Sequence, residues 1–357
     1  MTVERLETCC FTIPTDQPES DGTLEWSSTT IVVVEAVGGG RRGLGWTYAP
    51  EAAEAVVNAI LAPRVSGRGL EDLGGLWLEL GAAVRNAGRP GIAFCALSAV
   101  DLALWDLRAR LFEVPLSTLL PAARDRVQVY GSGGFCSYTD ERLAEQLGGW
   151  AAQGITHVKM KLGREPARDP QRLSVAREAI GDAELMVDAN GAFGVKEAIR
   201  WADRYVDEWD VRWFEEPVSS ADLDGLRRVR DHSSLEVAAG EYAYVLADFR
   251  NLVGSVDCLQ ADVTRCGGIS GLLRVNGLAS AHGLDLSGHC APQLSAHALC
   301  AVDRLRHLEY FHDHVRIESM LFDGVLTPVD GALVPDRSRP GNGLELKRAD
   351  AQRWAAA

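Results

Sequence analysis

The sequence predicts an α/β protein, a closed barrel of eight parallel strands preceded by a small α+β module. Three observations carry this reading. From about residue 126 the chain alternates short apolar strand-like runs with helical patterns, the signature of a parallel sheet. Eight such runs occur, and none ends in the Gly-rich fingerprint of an open dinucleotide-binding sheet. Polar residues recur at the ends of the runs with the period of one β/α unit.

Residues 1–122 make up the first module. Strand-like segments such as "TTIVVVEAVG" at 29–38 lead into Ala- and Leu-rich helices through "AFCALSAVDLALWDLRARLF". Two turn-rich stretches, 15–28 and 38–50, carry aromatic residues, and each reads either as an active-site lid or as a solvated hairpin loop. Residues 123–315 hold the eight runs: "VQVYGS", "HVKMKL", "ELMVDAN", "VRWFEEP", "LEVAAGE", "VDCLQAD", "LDLSGH" and "RHLEYF". Residues 316–357 are rich in Pro and Gly and are expected to leave the barrel and pack back on the first module.

A chain of 357 residues with 46% hydrophobic content can bury a large core. Its net charge of -14 argues against nucleic acid as a partner, while leaving room for a cation or for a small anion in a locally positive pocket. The N-terminus has acidic residues where a secretory signal needs a basic start, and no uncharged apolar run approaches a membrane span. A cytoplasmic protein without a membrane partner is expected. The eight cysteines show no CxxC pairing and are expected to be small buried hydrophobes.

Lys159 and Lys161 stand two apart in a strand, so their side chains share one face, and two adjacent ammonium groups require a nearby anion. The run ends supply it. Lys161, Asp188, Glu215, Glu241, Asp262 and His289 follow one another at intervals of 27, 27, 26, 21 and 27 residues. In a closed parallel barrel these ends converge on one face, where active sites form. Asp188, Glu215 and Glu241 would then present three carboxylates to one point, a hard-oxygen site suited to Mg²⁺. Each acid alone would by default cap the helix after its strand. Three in phase with two lysines argue for a shared site.

In this combination, "AVDLALWDLRAR", "KMK", "DAN", "FEEP", "GE", "DVTRCGG", "GH" and "PGNGLEL" resemble the enolase superfamily in its mandelate racemase subgroup, over nearly the whole chain. The resemblance implies a (β/α)7β modified TIM barrel under an α+β capping domain completed by the C-terminal segment, with Asp188, Glu215 and Glu241 as Mg²⁺ ligands. In "FEEP" the first acid, Glu215, matches the family motif and the 27-residue interval, and Glu216 is assigned to the following loop. Asn190 is a candidate for the substrate or a lysine, or else a plain turn residue. Asp262 and His289 form a candidate general acid/base dyad. For the eighth strand "HLEYFHDHVRIE" offers Glu309, His312, His314 and Glu318 as candidates to hold the substrate, or else an exposed loop; Glu309 lies in the apolar strand, and Glu318 fits the racemase spacing to within one residue.

The expected chemistry is abstraction of the proton α to a carboxylate by Lys161 or His289, giving an enediolate. Lys159 is read as the electrophile, and Lys161 is expected to carry a lowered pKa. The resemblance favours dehydration of an acid sugar, with racemisation or epimerisation as the alternative. It also implies a small-molecule carboxylate substrate and a homo-oligomer. A non-catalytic barrel would predict gaps among the six strand-end positions, and the sequence has none.

Overall fold

The computed structural model describes residues 1–355. Its first sheet is antiparallel, with β1 (Arg5–Ser20) paired to β2 (Glu25–Gly38) and β2 to β3 (Arg41–Tyr48). The unbroken apolar run in β2 is explained by burial on both faces. Val32 and Val34 join a core with Leu97, Val100 and Leu104 of the helix Phe94–Leu111, while Ile31 and Val33 join the larger core that continues into the barrel. Gly43 and Gly45 let that helix close onto the sheet, since a Cβ there would lie 2.2 and 2.4 Å from the carbonyl oxygens of Ala103 and Ala99. The helix and the turn before it, Arg89–Leu111, are long and apolar enough to span a membrane by composition, contrary to the expectation of no such run; 78% of the apolar window is buried in this packing.

Most of the two turn-rich stretches is strand. Residues 15–20 and 25–28 extend β1 and β2, with the register shift between Pro14 and Glu19, so only 21–24 turns. In the second stretch Gly39 and Gly40 turn, and Arg41–Tyr48 is a strand. Polar composition concealed both strands because their outer faces are exposed.

The eight expected runs are the eight barrel strands: β4 (Val127–Gly133), β5 (His157–Lys161), β6 (Glu184–Asp188), β7 (Val211–Glu215), β8 (Glu236–Ala239), β9 (Cys258–Ala261), β10 (Asp285–Gly288) and β11 (Leu305–Phe311). Neighbours pair in parallel, and β11 closes on β4. Tyr130, Met186, Trp213, Ala238 and Cys258 form a buried layer of their own.

The tail returns to both domains. Ala332 and Leu333 pair with the start of β4, and Arg348 forms an ion pair with Glu35 of β2. Its anchor is Asp106, fully buried on the long helix, which accepts from Leu44 N (2.7 Å), Asn342 N (2.5 Å) and Arg110 Nε (2.6 Å). Arg110 donates on to the Leu344 carbonyl and to Glu345. One buried acid thus ties sheet, helix and tail. Asp106→Ala removes the buried partner of Arg110, leaving it only Glu345 as a charged partner, and strips Leu44 N and Asn342 N of their acceptor; it should cost about 3–5 kcal/mol of stability, read as a lowered midpoint in urea unfolding.

Candidate active site

The barrel strands end in a buried ring of charge. Lys159 Nζ lies 2.6 Å from Glu215 Oε1, 2.9 Å from Glu309 Oε1 and 3.4 Å from Asp188 Oδ2, with no exposed surface. Lys161 Nζ is 2.5 Å from the same Asp188 oxygen. The second Glu215 oxygen accepts from Trp213 Nε1 at 3.1 Å. Asp188, Glu215 and Glu241 each offer a carboxylate oxygen, and all three oxygens lie within 4.8 Å of one another.

This donor set fits a hard divalent cation. Six buried carboxylates (Asp188, Glu215, Glu216, Glu241, Asp262, Glu309) crowd Lys159, Lys161, Arg265 and His289, so acids outnumber basic groups. Burial and the adjacent acids push the Glu216 carboxyl well above the usual range, and burial and Asp188 push Glu215 up to about 8. One buried Glu241 oxygen, Oε2, has no hydrogen-bond donor. Asp188, Glu215 and Glu241 are the residues that would hold a divalent cation, whose charge would offset the mutual repulsion of these acids.

The expected lowering of the Lys161 pKa is not what these contacts produce. Burial is the largest single influence and pushes the ammonium down, but Asp188 at 2.5 Å together with Glu241 and Glu215 outweighs it, so the pKa is raised. Lys159 is also raised, against burial, by Glu215 and Glu309. Its ammonium lies among these acids and not on the cavity wall, where Lys161 is found.

Across the mouth, the backbone N–H of His289 bonds the Ala261 carbonyl, and its Nδ1 lies 2.8 Å from Asp262 Oδ2. Thr264 N and Oγ1 both donate to the other Asp262 oxygen at 2.7 Å. These bonds fix the imidazole, leaving Nε2 toward Glu241 (3.3 Å) and Glu309 (3.4 Å). Asn190, Glu216, Cys290 and Ala291 follow the strand ends with positive φ, a costly cluster of left-handed residues of which Asn190 and Cys290 line the cavity.

A cavity of about 470 Å³ lies between these groups and the first domain. Lys161, Asn190, Glu241, His289 and Glu309 line it. Of the four candidates from the eighth-strand segment Glu309 and His314 line it, and His312 and Glu318 do not. Glu318 lies on the next helix, His312–Leu321, where it accepts from Tyr48 OH and Gln293 N, both at 3.1 Å. The hairpin at 21–24 covers the cavity and presses on barrel backbone, since a Cβ on Gly22 would lie 2.3 Å from the Ala189 carbonyl oxygen. The second stretch contributes only its end, Tyr48–Pro50, and Gly39–Gly40 lies against Leu111 or open space. Sequence reasoning passed over Arg265, which lines the cavity, pairs with Asp262 at 3.3 Å and donates to the Glu241 carbonyl. Its signal was its place in "DVTRCGG", three residues past Asp262. Cys290, 3.2 Å from Glu309, carried no signal beyond following His289.

Residues 14–121 match the family described as "Mandelate racemase / muconate lactonizing enzyme, N-terminal domain", and residues 142–351 match "Enolase C-terminal domain-like". The chain belongs to this family. A mandelate racemase/muconate lactonizing enzyme-like protein from Rubrobacter xylanophilus has a crystal structure 56% identical in sequence, with a TM-score of 0.99 over 100% of both chains. A 3,6-anhydro-alpha-L-galactonate cycloisomerase of Streptomyces coelicolor is 32% identical over 96% of this chain and 97% of its own. The L-talarate/galactarate dehydratase of Salmonella typhimurium, in a structure liganded with Mg and L-lyxarohydroxamate, superposes with a TM-score of 0.91 at 28% identity, covering 99% of this chain and 93% of that one. This family member is an enzyme, and its cofactor is Mg²⁺.

Two predictions follow from the geometry. At Mg²⁺ a hundredfold above its Kd the wild type should gain about 2.7 kcal/mol; calorimetric melting should show this gain lost in Glu215→Gln and largely kept in Glu216→Gln. The second concerns Glu318, whose carboxyl is pushed up to about 8 by burial, against the bonds from Gln293 and Tyr48. With the folded pKa above the unfolded value near 4.3, the stability gained from the neutral form is present below about pH 4.3 and is lost as pH rises toward 8. Between about pH 5 and pH 8 the wild type should therefore lose roughly 2–4 kcal/mol more than Glu318→Gln in urea titrations.

Proposed function

We propose that the chain dehydrates an acid sugar, removing the proton α to the carboxylate and expelling the β-hydroxyl as water. What supports this reading is that Lys161, from the second barrel strand, and His289, from the end of the seventh and bonded to Asp262, both line one cavity beside three clustered carboxylates. Lys161, in its neutral form, takes the proton from C2. The electron pair left on C2 forms a double bond to C3 as the C3–O bond breaks, and His289 Nε2 gives its proton to the departing oxygen. The enol product becomes a 2-keto acid by taking a proton at C3 while its C2 hydroxyl gives one up to solvent. Asp262 holds the imidazole and stabilises its charged form. Bound at Asp188, Glu215 and Glu241, Mg²⁺ supplies Lewis-acid stabilisation of the charge collecting on the substrate carboxylate and engages the Asp188 charge that raises the Lys161 pKa.

Burial in the ion cluster makes Lys159 an electrostatic support for Glu215 and Glu309, and Glu309 presents its other oxygen toward His289 and the cavity. A second reading keeps the same proton transfers but takes a ring ether oxygen as the leaving group. It is favoured by the cycloisomerase relative, whose named substrate is an anhydro sugar acid.

His289→Asn keeps the side-chain volume near that of imidazole and removes the acid. In D₂O this variant should form less than about 1% of the wild-type keto acid, on the scale expected for losing a general acid, while Lys161 still exchanges the substrate C2 proton. Mass spectrometry of recovered substrate checks this across aldonic and aldaric acids. Loss of all exchange would make His289 the abstracting base. Recovery of the C2 epimer from wild type, without keto acid, would replace dehydration by racemisation.

A further inference from the structure

The two walls of the cavity differ in kind. Every cationic side chain among its lining residues, Lys161, Arg265 and His289, comes from the barrel. The wall from the first domain carries one ionisable acid, Asp21, whose Oδ1 is turned into its own hairpin by the N–H groups of Thr23 and Leu24 at 2.6 Å.

Of the other polar groups of that wall, only the Ser28 hydroxyl has no side-chain hydrogen bond among the described residues; the rest are engaged away from the cavity. Trp26 Nε1 donates to the buried Glu19, and the Thr29 hydroxyl donates to Asp313. Thr30 pairs with Thr12 at 3.1 Å, and the Tyr48 hydroxyl donates to Glu318. The Tyr48 ring stacks flat on His314, with centroids 3.4 Å apart, and burial pushes the His314 pKa down to about 3, so that this second imidazole is neutral. What remains of it toward the cavity is largely apolar, the Leu24 side chain, the faces of Trp26 and Tyr48, and Pro50, with Phe311 of the barrel beside them.

We infer that the enzyme takes a monocarboxylic acid sugar whose far end is uncharged, and that it rejects the matching diacid. This rests on the reading that the barrel side holds the reacting carboxylate. A second carboxylate on the same carbon chain would reach the first-domain wall, meet no cation there, and lose its hydration beside Asp21. Such an unpaired, desolvated charge is the repulsive element that specificity needs. A hydroxymethyl, methyl or ring terminus carries no such cost and gains contact with the aromatic faces.

Matched pairs that differ only in the terminal group test the inference: D-gluconate against D-glucarate and D-galactonate against galactarate, titrated calorimetrically into the Mg²⁺-loaded full chain. The monoacid of a pair that binds should have a Kd at least tenfold lower than its diacid. Leu24→Arg, at an exposed hairpin position, should narrow that ratio at least fivefold by supplying a cation. Equal or tighter binding of the diacid overturns the inference, as does a ratio unmoved by Leu24→Arg. Absence of binding by both members of both pairs overturns it together with the proposed function. Preferred binding of the monoacid with neither C2 exchange nor keto acid would sink the dehydration reading while this inference stands. Preferred binding and dehydration of the diacid would do the reverse.

Discussion

The site depends on a single fully buried ammonium. Lys159 reaches acids from three strands, β6, β7 and β11, and holds Asp188, Glu215 and Glu309 in one cluster below the cavity. Carboxylates packed this closely repel one another, and burial raises the cost because water no longer screens them. Glu215 shows the balance: burial and Asp188 push its carboxyl up to about 8 even with Lys159 at 2.6 Å. A neutral residue at 159 would leave three acids facing each other with only Lys161 beside them. The ammonium therefore makes the acid cluster tolerable to the fold, and the cluster is what suits the site to a divalent cation.

That arrangement fixes what surrounds it. A charged cavity open to bulk water would lose most of its electrostatic strength to screening, so the barrel mouth needs a cover. The hairpin at 21–24 provides it, seated by the absence of a side chain at Gly22 and tied by Ser137 to the Pro18 carbonyl and by Arg316 to that of Pro14. The cover is only as steady as its own sheet, which the buried Asp106 joins to the long helix and the tail. Glu318, bonded to Tyr48, is a further tie between the domains. Buried acids thus serve two ends here, and burial alone does not tell them apart; what separates them is place, since Glu241 and Glu309 line the cavity and Asp106 and Glu318 do not.

How much was legible in the sequence follows from the same physics. The barrel strands were readable because burial on both faces makes each a short apolar run, and the strand-end residues because one β/α unit has a nearly fixed length. Choosing between Glu309 and Glu318 required knowing where β11 ends: Glu309 lies within the strand, whereas Glu318 is a turn and more along the following helix. The lid stretches misled because a half-exposed hairpin has the composition of a loop. The Lys161 pKa was read from the neighbouring Lys159 and a bound metal, while the distance that decides it, to Asp188, depends on the pairing of β5 with β6.

The division of labour between the domains has a physical reason. Groups that stabilise charge in a transition state must be held rigidly, and strand ends in a closed barrel are held by pairing on both sides. The groups that read the far end of a substrate need only shape and the right polarity, which a hairpin can supply. In this chain the hairpin's Thr29 and Thr30 hydroxyls and indole nitrogen are bonded to its own domain and to the helix after β11. Those bonds hold the cover in place and also take these polar atoms out of use for recognition. A cover tied down in this way recognises chiefly with its apolar faces, so the constraint that shields the chemistry also limits which tails the enzyme can accept.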